Sequence, residues 1–255
     1  MKVALPQAFL TTPIAHRALH DVAKGRPENS RAAIRAAISA GYGIEIDVQQ
    51  SSDAQAMVFH DYALDRLADA TGPIRAQTKD ALCQTPLRGG DEGIPDLVAV
   101  LELVAGQVPL LIEIKDQDGA MGQDVGPLER AVAQALKGYP GPVAVMSFNP
   151  NSVRLMAELC PGIARGLVTE SFAEKNWNLP LETREHLRNI PDYEKAECSF
   201  ISHDIDDLDR ARVADLKSQG AAVLCWTVKS PQQEACARKI AQNITFERYL
   251  AAFPA

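Results

Sequence analysis

Two short segments of the sequence place charged side chains between apolar ones in strict alternation. One is Ile44–Val48, which carries Glu45 and Asp47, and the other is Leu111–Lys115, which carries Glu113 and Lys115. A β-strand sends alternate side chains to opposite faces, so the two charged residues of each segment share a face. Parallel strands buried on both faces are normally continuous apolar runs. Charged groups there are costly unless something compensates them.

The sequence therefore predicts an acidic cluster formed by Glu45, Asp47 and Glu113. Two like charges about 4 Å apart repel by about 4 kcal/mol at an effective dielectric constant near 20, and Lys115 offsets only part of this repulsion. The cluster can hold protonated carboxylates, bind a hard divalent cation, or form a buried network of the pairs Glu113–Lys115 and Glu45–Arg17. An all-oxygen donor set favours Mg²⁺, Ca²⁺ or Mn²⁺ over Zn²⁺.

Two of the five histidines follow apolar runs near this cluster, His16 beside Arg17 and His60 beside an aspartate. Imidazole is the side chain best suited to proton transfer near neutral pH. One histidine could deprotonate a nucleophile and the other could protonate a leaving oxygen, while Arg17 and Lys115 bind an oxyanion. For His203, a structural role and a place in the site wall are equally open. The remaining two histidines are predicted to be surface residues: His20 and His186.

The elements that carry these residues alternate between strands and helices. The predicted strands are Thr12–His16, Ile44–Gln50, Pro109–Lys115, Val143–Phe148, Ala164–Thr169, Phe200–Ile205, Ala222–Val228 and Asn243–Phe246. The predicted helices are Arg31–Ala40, Leu97–Ala105, Leu128–Lys137, Ser152–Leu159, Glu182–Glu197, Asp207–Gln219 and Pro231–Ala241. This alternation implies a parallel sheet with right-handed crossovers, and eight repeats in 255 residues are typical of a (β/α)8 TIM barrel. A doubly wound open sheet is the alternative, but its glycine-rich phosphate turn after the first strand is absent.

One segment interrupts this alternation. Residues 62–95 contain no long periodic element and include the glycine-rich run Gly89–Gly93. Long loops in compact domains are often functional, so we interpret the segment as a small insertion after the second barrel strand, lying over the barrel mouth. Residues 1–255 are predicted to form a single domain. Asn29 or Ser30 is expected to cap the first predicted helix, and Gly41 to end it.

Composition excludes several classes of protein. The formal net charge of −7 and the sequence pI of about 5.3 argue against nucleic-acid binding and against general attraction to anionic lipid. The five cysteines are scattered without a C-x-x-C motif, which is typical of buried thiols in a reducing compartment. Apolar runs are too short for a membrane span or a signal peptide, so we expect a cytoplasmic protein.

The ordered set of motifs in this sequence resembles the glycerophosphodiester phosphodiesterase family. The strings that carry the resemblance are His16-Arg17, Pro27-Glu28-Asn29-Ser30, Glu45-Ile46-Asp47-Val48, Val58-Phe59-His60-Asp61, Glu113-Ile114-Lys115 and Trp226-Thr227-Val228. They occur in the order of the family and extend over nearly the whole chain. The resemblance implies a TIM barrel with an insertion after the second barrel strand. It also implies hydrolysis of a small-molecule glycerophosphodiester to glycerol 3-phosphate and an alcohol.

The resemblance also implies a role for each candidate residue. The metal ligands would be Glu45, Asp47 and Glu113, the acid–base residues His16 and His60, and the substrate-binding residues Arg17, Lys115 and Trp226. The cofactor would be one divalent cation, Mg²⁺ or Ca²⁺, with Mn²⁺ as a further candidate. The resemblance leaves open whether the protein forms a homo-oligomer and which histidine is the acid.

The sequence departs from the family pattern outside these residues. Ala18 stands where the family usually has glycine, Lys229 stands where asparagine is frequent, and the segment Asn243–Glu247 lacks the usual Thr-Asp-x-Pro ending. One alternative function is that of a lysophospholipase D or sphingomyelinase D-like enzyme of the same fold. The polar, glycine-rich residues 69–96 favour a soluble diester over a lipid. A non-catalytic glycerophosphodiester-binding module is the other alternative, and the presence of both histidines argues against it.

Overall fold

The fold is a closed barrel of eight parallel strands, as seen in a computed structural model that describes residues 2–254. The strands in the described residues are β1 (Ile14–Ala15), β2 (Gly43–Gln50), β3 (Ala56–Val58), β4 (Leu110–Ile114), β5 (Val143–Ser147), β6 (Ala164–Thr169), β7 (Phe200–Asp204), β8 (Ala222–Val228) and β9 (Asn243–Phe246). The short strand β1 pairs in parallel with both β2 and β9, which closes the barrel. Strand β3 lies outside the barrel and pairs antiparallel with the end of β2. The predicted TIM barrel is confirmed, and the open-sheet alternative is wrong.

Helices follow most of the barrel strands. In the described residues they are α1 (Ala8–Thr11), α2 (Arg31–Ala40), α3 (Lys79–Gln84), α4 (Leu97–Val104), α5 (Pro127–Ala135), α6 (Pro150–Leu159), α7 (Leu181–Asn189), α8 (Ala211–Ser218) and α9 (Pro231–Ala237). The prediction of one helix over Glu182–Glu197 is too long at its C-terminal end. Helix α7 stops because Ile190 adopts a left-handed conformation with φ of +48° directly before Pro191. A residue before proline is disfavoured in the helical region, so the helix cannot continue there.

Local interactions at the start of α2 divide the roles of two neighbouring polar residues. The Ser30 side chain accepts a hydrogen bond from the Ala33 backbone N–H, so Ser30 is the helix cap. Asn29 does not cap the helix, and its side-chain amide instead donates to Asp47 at 2.9 Å. At the other end of the helix Gly41 has a φ of +76°, a conformation that glycine adopts without strain. The residue directly before the cap of α2 therefore helps to support the acidic strand β2.

In β2 and β4 the apolar and the charged side chains lie on opposite faces, as the alternation predicts. Ile44, Ile46 and Ile112 point outward and pack against helices α2 and α4 in the main apolar cluster. The lower barrel interior is filled by a second cluster. Its buried members include Ile14, Leu111, Ala144, Met146, Phe200 and Leu224. Gly166 makes room there, because a Cβ atom on it would lie 2.5 Å from the Phe200 ring. The charged side chains of β2 and β4 lie above this packed interior.

The segment between β3 and α4 forms a small subdomain beside the barrel mouth. Its side chains have their own apolar cluster, which includes Leu64, Ile74 and Leu87. It is anchored to the loops that follow barrel strands, for example by the Arg75 guanidinium donating to the Gln117 backbone carbonyl at 3.1 Å. No helix within residues 2–254 has the length and apolar character that crossing a bilayer requires.

Candidate active site

The acidic cluster forms because β2 and β4 are neighbours in register. Asp47 lies opposite Glu113 in the parallel pairing, and Glu45 is one inward position below Asp47. All three carboxylates are buried, and each offers an oxygen within 4.8 Å of the others. They line one cavity together with every other predicted site residue. Those residues are His16, Arg17, His60, Lys115 and Trp226.

Lys115 forms two short ion pairs within the cluster. Its Nζ lies 2.7 Å from Asp47 Oδ1 and 2.6 Å from Glu113 Oε1. Burial raises the pKa of Asp47, but the positive charge of Lys115, together with His60 and Arg17, outweighs this effect and holds that pKa well below its usual range. The distance of 2.6 Å between Lys115 Nζ and Glu113 Oε1 shows that the predicted ion pair Glu113–Lys115 is present.

The pair Glu45–Arg17 takes a different form from the expected ion pair. The backbone N–H of Arg17, and not its guanidinium, donates to Glu45 Oε2 at 2.8 Å. The Arg17 guanidinium donates to Glu28 at 2.7 Å, and its Nε lies 3.6 Å from Asp47. The side-chain charge of Arg17 thus lies between Glu28 and Asp47. In the described part of the chain, the ion-pair network accounts for two of the three carboxylates and gives Glu45 no cationic side chain in contact.

Glu45 is the residue that tests whether a cation fits the cluster. Its Oε1 is buried and has no hydrogen-bond partner among residues 2–254. Burial, with the negative charges of Asp47 and Glu113, raises the pKa of Glu45 well above its usual value. An unpaired buried carboxylate oxygen beside two other carboxylates is a costly arrangement that a hard divalent cation relieves. The donor set, which is all oxygen, fits Mg²⁺, Ca²⁺ or Mn²⁺.

Each of the two predicted acid–base histidines has a carboxylate on its Nδ1 atom. His16 Nδ1 lies 2.8 Å from Glu247 Oε2, and His60 Nδ1 lies 2.7 Å from Asp61 Oδ1. An ionised carboxylate only accepts hydrogen bonds, so Nδ1 carries the proton and Nε2 of each neutral ring is the acceptor. Burial lowers the pKa of His16, although the hydrogen bond to Glu247 opposes this effect. Both rings are therefore held in the tautomer that general base catalysis requires.

The carboxylate partners of the histidines were not predicted as site residues. Asp61 follows His60 directly, so the sequence carried a local signal for it. Glu247 is 231 residues away from His16 along the chain and becomes its neighbour only because the barrel closes between β9 and β1. The hydrogen bond from His16, together with the nearby His20 ring, whose Nε2 lies 3.7 Å from Oε2, holds the pKa of Glu247 well below its usual range.

A chain of ion pairs connects the insertion to this site. Arg66 donates to Asp61 at 2.7 Å and to Glu28 at 3.0 Å, and Glu28 in turn accepts from Arg17. Burial raises the pKa of Asp61, but the hydrogen bonds from His60 and Arg66 outweigh it and lower that pKa. Glu28 therefore supports the phosphate-binding candidate Arg17.

Of the other three histidines, His203 is buried, whereas His20 and His186 are partly exposed. His203 faces away from the cavity, which Ser202 lines, and it bonds to Thr169 at 2.7 Å and to the Asp207 carbonyl at 3.0 Å. The prediction that His20 is an ordinary surface residue is wrong. Its side chain is only 23% exposed, and its Nε2 lies 3.7 Å from Glu247 Oε2. His186 is half exposed and pairs with Asp192.

Aromatic side chains form the opposite wall of the cavity. Phe148 and Trp226 both line it, with their rings 5.7 Å apart in an edge-to-face arrangement. The Trp226 indole N–H donates to the Ser202 carbonyl at 3.0 Å, which orients the ring. The cavity thus has one charged wall and one aromatic wall, an arrangement suited to a small ligand with a phosphate and a carbon skeleton.

A barrel with acidic residues, histidines and cations at the C-terminal ends of its strands is the usual form of a TIM-barrel enzyme site. Residues 16–245 match the family model described as "Glycerophosphoryl diester phosphodiesterase family". The chain is 30% identical over 227 residues to a glycerophosphodiester phosphodiesterase of Caldanaerobacter subterraneus, covering 86% of each protein. The chain belongs to the glycerophosphoryl diester phosphodiesterase family. The expected enzyme class, a phosphodiesterase of this family, is confirmed.

Solved structures agree with the family assignment. A phosphodiesterase of Oleispira antarctica, in complex with the product sn-glycerol-3-phosphate, superposes with a TM-score of 0.76 at 25% identity and covers 94% of each chain. A glycerophosphodiester phosphodiesterase of Thermotoga maritima has a TM-score of 0.69 at 22% identity over 92% of this chain and 94% of its own. The second likeness concerns the fold alone.

Proposed function

We propose that the protein hydrolyses soluble glycerophosphodiesters to glycerol 3-phosphate and an alcohol, with a divalent cation and with His16 and His60 as acid–base pair. The observation that carries the proposal is the convergence of Glu45, Asp47 and Glu113 with both histidines on one cavity. The family membership supports it, as does the glycerol 3-phosphate bound to the related Oleispira antarctica enzyme.

The three carboxylates of the cluster would hold the cation, because they supply only oxygen ligands and one of those oxygens has no other partner in the part of the chain that the structure describes. When bound, this cation polarises a phosphoryl oxygen and neutralises charge that develops during the reaction. Lys115 and Arg17 lie beside the carboxylates and would bind the remaining phosphoryl oxygens, Lys115 as a point charge and Arg17 through its planar fork.

The histidines would move two protons in each half of the reaction. A hydroxyl of the substrate's own glycerol attacks phosphorus, one histidine, neutral, takes its proton at Nε2, and the other, protonated on both ring nitrogens, donates its Nε2 proton to the leaving alcohol oxygen. Attack within one molecule has a high effective concentration, which lowers the barrier. The resulting cyclic phosphate is opened by water with the roles of His16 and His60 reversed. The pairs with Glu247 and Asp61 keep each ring oriented throughout.

The surroundings of the cavity favour a water-soluble diester over a lipid. Beside the mouth, Arg66 of the insertion pairs with Glu28 and Asp61, so this part of the rim presents charged groups. A lipid-directed phospholipase D would need an apolar rim that accepts acyl chains. A non-catalytic binding module would have no use for two histidines that are each held by a carboxylate.

The proposal is tested by the turnover of glycerophosphocholine after EDTA treatment and after addition of Mg²⁺, Ca²⁺ or Mn²⁺. We expect EDTA to abolish turnover and at least one of these cations to restore it. The variants His16→Ala and His60→Ala should each lose about 10²–10⁴-fold in kcat while keeping a native circular dichroism spectrum. The matched control His186→Ala, at a half-exposed residue, should retain full activity. Unchanged turnover in either active-site variant, or faster cleavage of lysophosphatidylcholine, would contradict the proposal.

A further inference from the structure

We propose that His16, His20 and Glu247 form a second metal site, which binds a borderline-soft dication such as Zn²⁺ and inhibits the enzyme by capturing His16. The inhibitory effect rests on the proposed catalytic function of His16, whereas the binding itself does not. The site is separate from the carboxylate cluster, with which it shares no residue.

The geometry of these three side chains suits a single ion. His16 Nδ1 and His20 Nε2 lie 2.8 Å and 3.7 Å from the same oxygen, Glu247 Oε2, and the three donor atoms all lie within 4.8 Å of one another. All three residues are partly buried. Small side-chain shifts are therefore enough to bring the donors to the distances of about 2.0–2.2 Å at which zinc binds nitrogen and oxygen ligands.

A second observation points to a ligand at this place. His20 Nε2 is buried and has no hydrogen-bond partner in the described residues, because its distance from Glu247 is too long for a hydrogen bond. A buried polar atom without a partner is costly, and most such atoms in native proteins are satisfied by something. A metal ion between the histidines would satisfy His20 Nε2 and Glu247 Oε2 together.

The donor chemistry separates this site from the carboxylate cluster. Two imidazoles and one carboxylate are a common zinc set that leaves a fourth position for water, whereas an all-oxygen cluster prefers harder cations. The other oxygen, Glu247 Oε1, lies 3.5 Å from Lys229 Nζ and 3.3 Å from Arg248 Nε, so these cations hold the carboxylate from behind. Their positive charges also oppose a dication, so we expect reversible binding that is weaker than in a structural zinc site.

Metal binding at Nδ1 would disable His16 through its tautomer. In the structure the hydrogen bond to Glu247 places the ring proton on Nδ1 and leaves Nε2 free to accept a proton. A metal ion on Nδ1 displaces that proton, so the neutral ring must carry its proton on Nε2. The ring then has no lone pair with which to take a proton from a substrate hydroxyl. Zinc would therefore lower kcat without occupying the carboxylate cluster.

The first test is a titration of the Mg²⁺-saturated enzyme with Zn²⁺ while the hydrolysis of glycerophosphocholine is followed. We expect inhibition that a chelator reverses. The variant His20→Asn should keep the basal activity and raise the inhibitory Zn²⁺ concentration by more than about tenfold. The matched control His186→Asn, at the half-exposed histidine paired with Asp192, should be inhibited like the unaltered enzyme. Absence of inhibition, or equal inhibition of His20→Asn, would overturn the proposed inhibition.

The second test does not depend on activity. Co²⁺ in a tetrahedral site with histidine ligands absorbs visible light strongly, whereas Co²⁺ surrounded by six oxygens absorbs weakly. We expect an intense Co²⁺ band that appears in the unaltered protein and in Glu45→Gln but is lost in His20→Asn. If this pattern is found in a protein that does not cleave glycerophosphocholine, the metal site stands and the proposed function fails. If His20→Asn keeps the band, the metal site itself is refuted.

Discussion

In the candidate site, the carboxylates of Asp47 and Glu45 have very different surroundings. Asp47 is held in its ionised form by Lys115, with Arg17 and Asn29 beside it. Within the described residues, Glu45 accepts from one backbone N–H and has a buried oxygen without a hydrogen-bond partner. Neighbouring carboxylates on one strand thus have opposite shifts of their pKa values, downward for Asp47 and upward for Glu45. The positive charges of Lys115, His60 and Arg17 lower the pKa of Asp47, whereas burial and the charges of Asp47 and Glu113 raise that of Glu45.

At this scale, cation binding should be visible in thermal stability. The melting temperature should rise by roughly 5–10 °C when Mg²⁺ is present at about one hundred times its dissociation constant, because a ligand of the folded state alone stabilises it. The variant Glu45→Gln should lose this rise, and in EDTA its melting temperature should equal or exceed that of the unaltered protein because a buried repulsive group is gone. The exposed-residue control Glu102→Gln should keep the rise. Scanning calorimetry measures both, and a full Mg²⁺ effect in Glu45→Gln would contradict the assignment.

Glu247 should act as a positioning residue for His16. Glu247→Gln removes the ionised acceptor that holds the Nδ1 proton of His16 at 2.8 Å. We expect kcat for glycerophosphocholine to fall by roughly 10²-fold with KM little changed, since the substrate contacts remain. Glu247→Asp should restore part of the loss. Steady-state kinetics distinguish this role from a structural one, for which KM and the folded fraction would change together.

At the scale of elements, the barrel closes at its shortest strand. Strand β1 has two residues, yet it joins β2 to β9. Asn243 at the start of β9 reinforces this seam, because its amide donates to the backbone carbonyls of Phe9 and Thr12 at 2.7 Å each. The seam also brings Glu247 to His16, so closure and site assembly depend on the same contacts.

Replacement of Asn243 by alanine should destabilise the protein by about 2–4 kcal/mol, because two backbone carbonyls lose a buried donor. The control Asn189→Ala loses only a bond to the Glu185 carbonyl one turn earlier in α7 and should change the free energy of unfolding by less than about 0.5 kcal/mol. Urea unfolding curves measure both values. Similar small effects for the two variants would show that Asn243 does not reinforce the seam.

At the scale of the whole molecule, stability should depend on pH through His203. Burial lowers the pKa of His203 from its usual 6.5, although the charge of Asp207 opposes this shift and that of Arg210 adds to it. The unfolded chain therefore takes up a proton first as the pH falls. The stabilisation is complete above about pH 6.5 and is lost as the pH falls below that value towards the pKa of the folded state.

Between about pH 7.5 and about pH 5.5, the free energy of unfolding should therefore fall more for the unaltered protein than for His203→Gln. The difference between the two losses should be up to about 1.4 kcal/mol. Both proteins contain His16, whose lowered pKa contributes equally to each and cancels in the comparison. Urea unfolding at the two pH values measures the difference. Parallel losses in the two proteins would refute the assignment to His203.

Much of the fold and the site was predictable because it depends on local alternation. The inward face of Glu45, Asp47 and Glu113 follows from strand geometry, and eight strand–helix repeats leave few topologies other than a barrel. The end of α7 was placed too late because its charged, helix-favouring residues continue past Ile190, and only the backbone before Pro191 stops it. The partial burial of His20 could not be predicted, because its neighbour Glu247 lies 227 positions further along the chain.

The sequence by itself determined the set of chemical groups, the strand on which each lies and the face to which it points, since these depend on the near neighbours of each residue. The tertiary structure decided which groups meet. It paired Lys115 with Asp47, left one oxygen of Glu45 without a hydrogen-bond partner in the described residues, and brought Glu247 to His16. Those outcomes depend on the register between neighbouring strands and on the closure of the barrel, and both arise from packing between residues far apart in the chain.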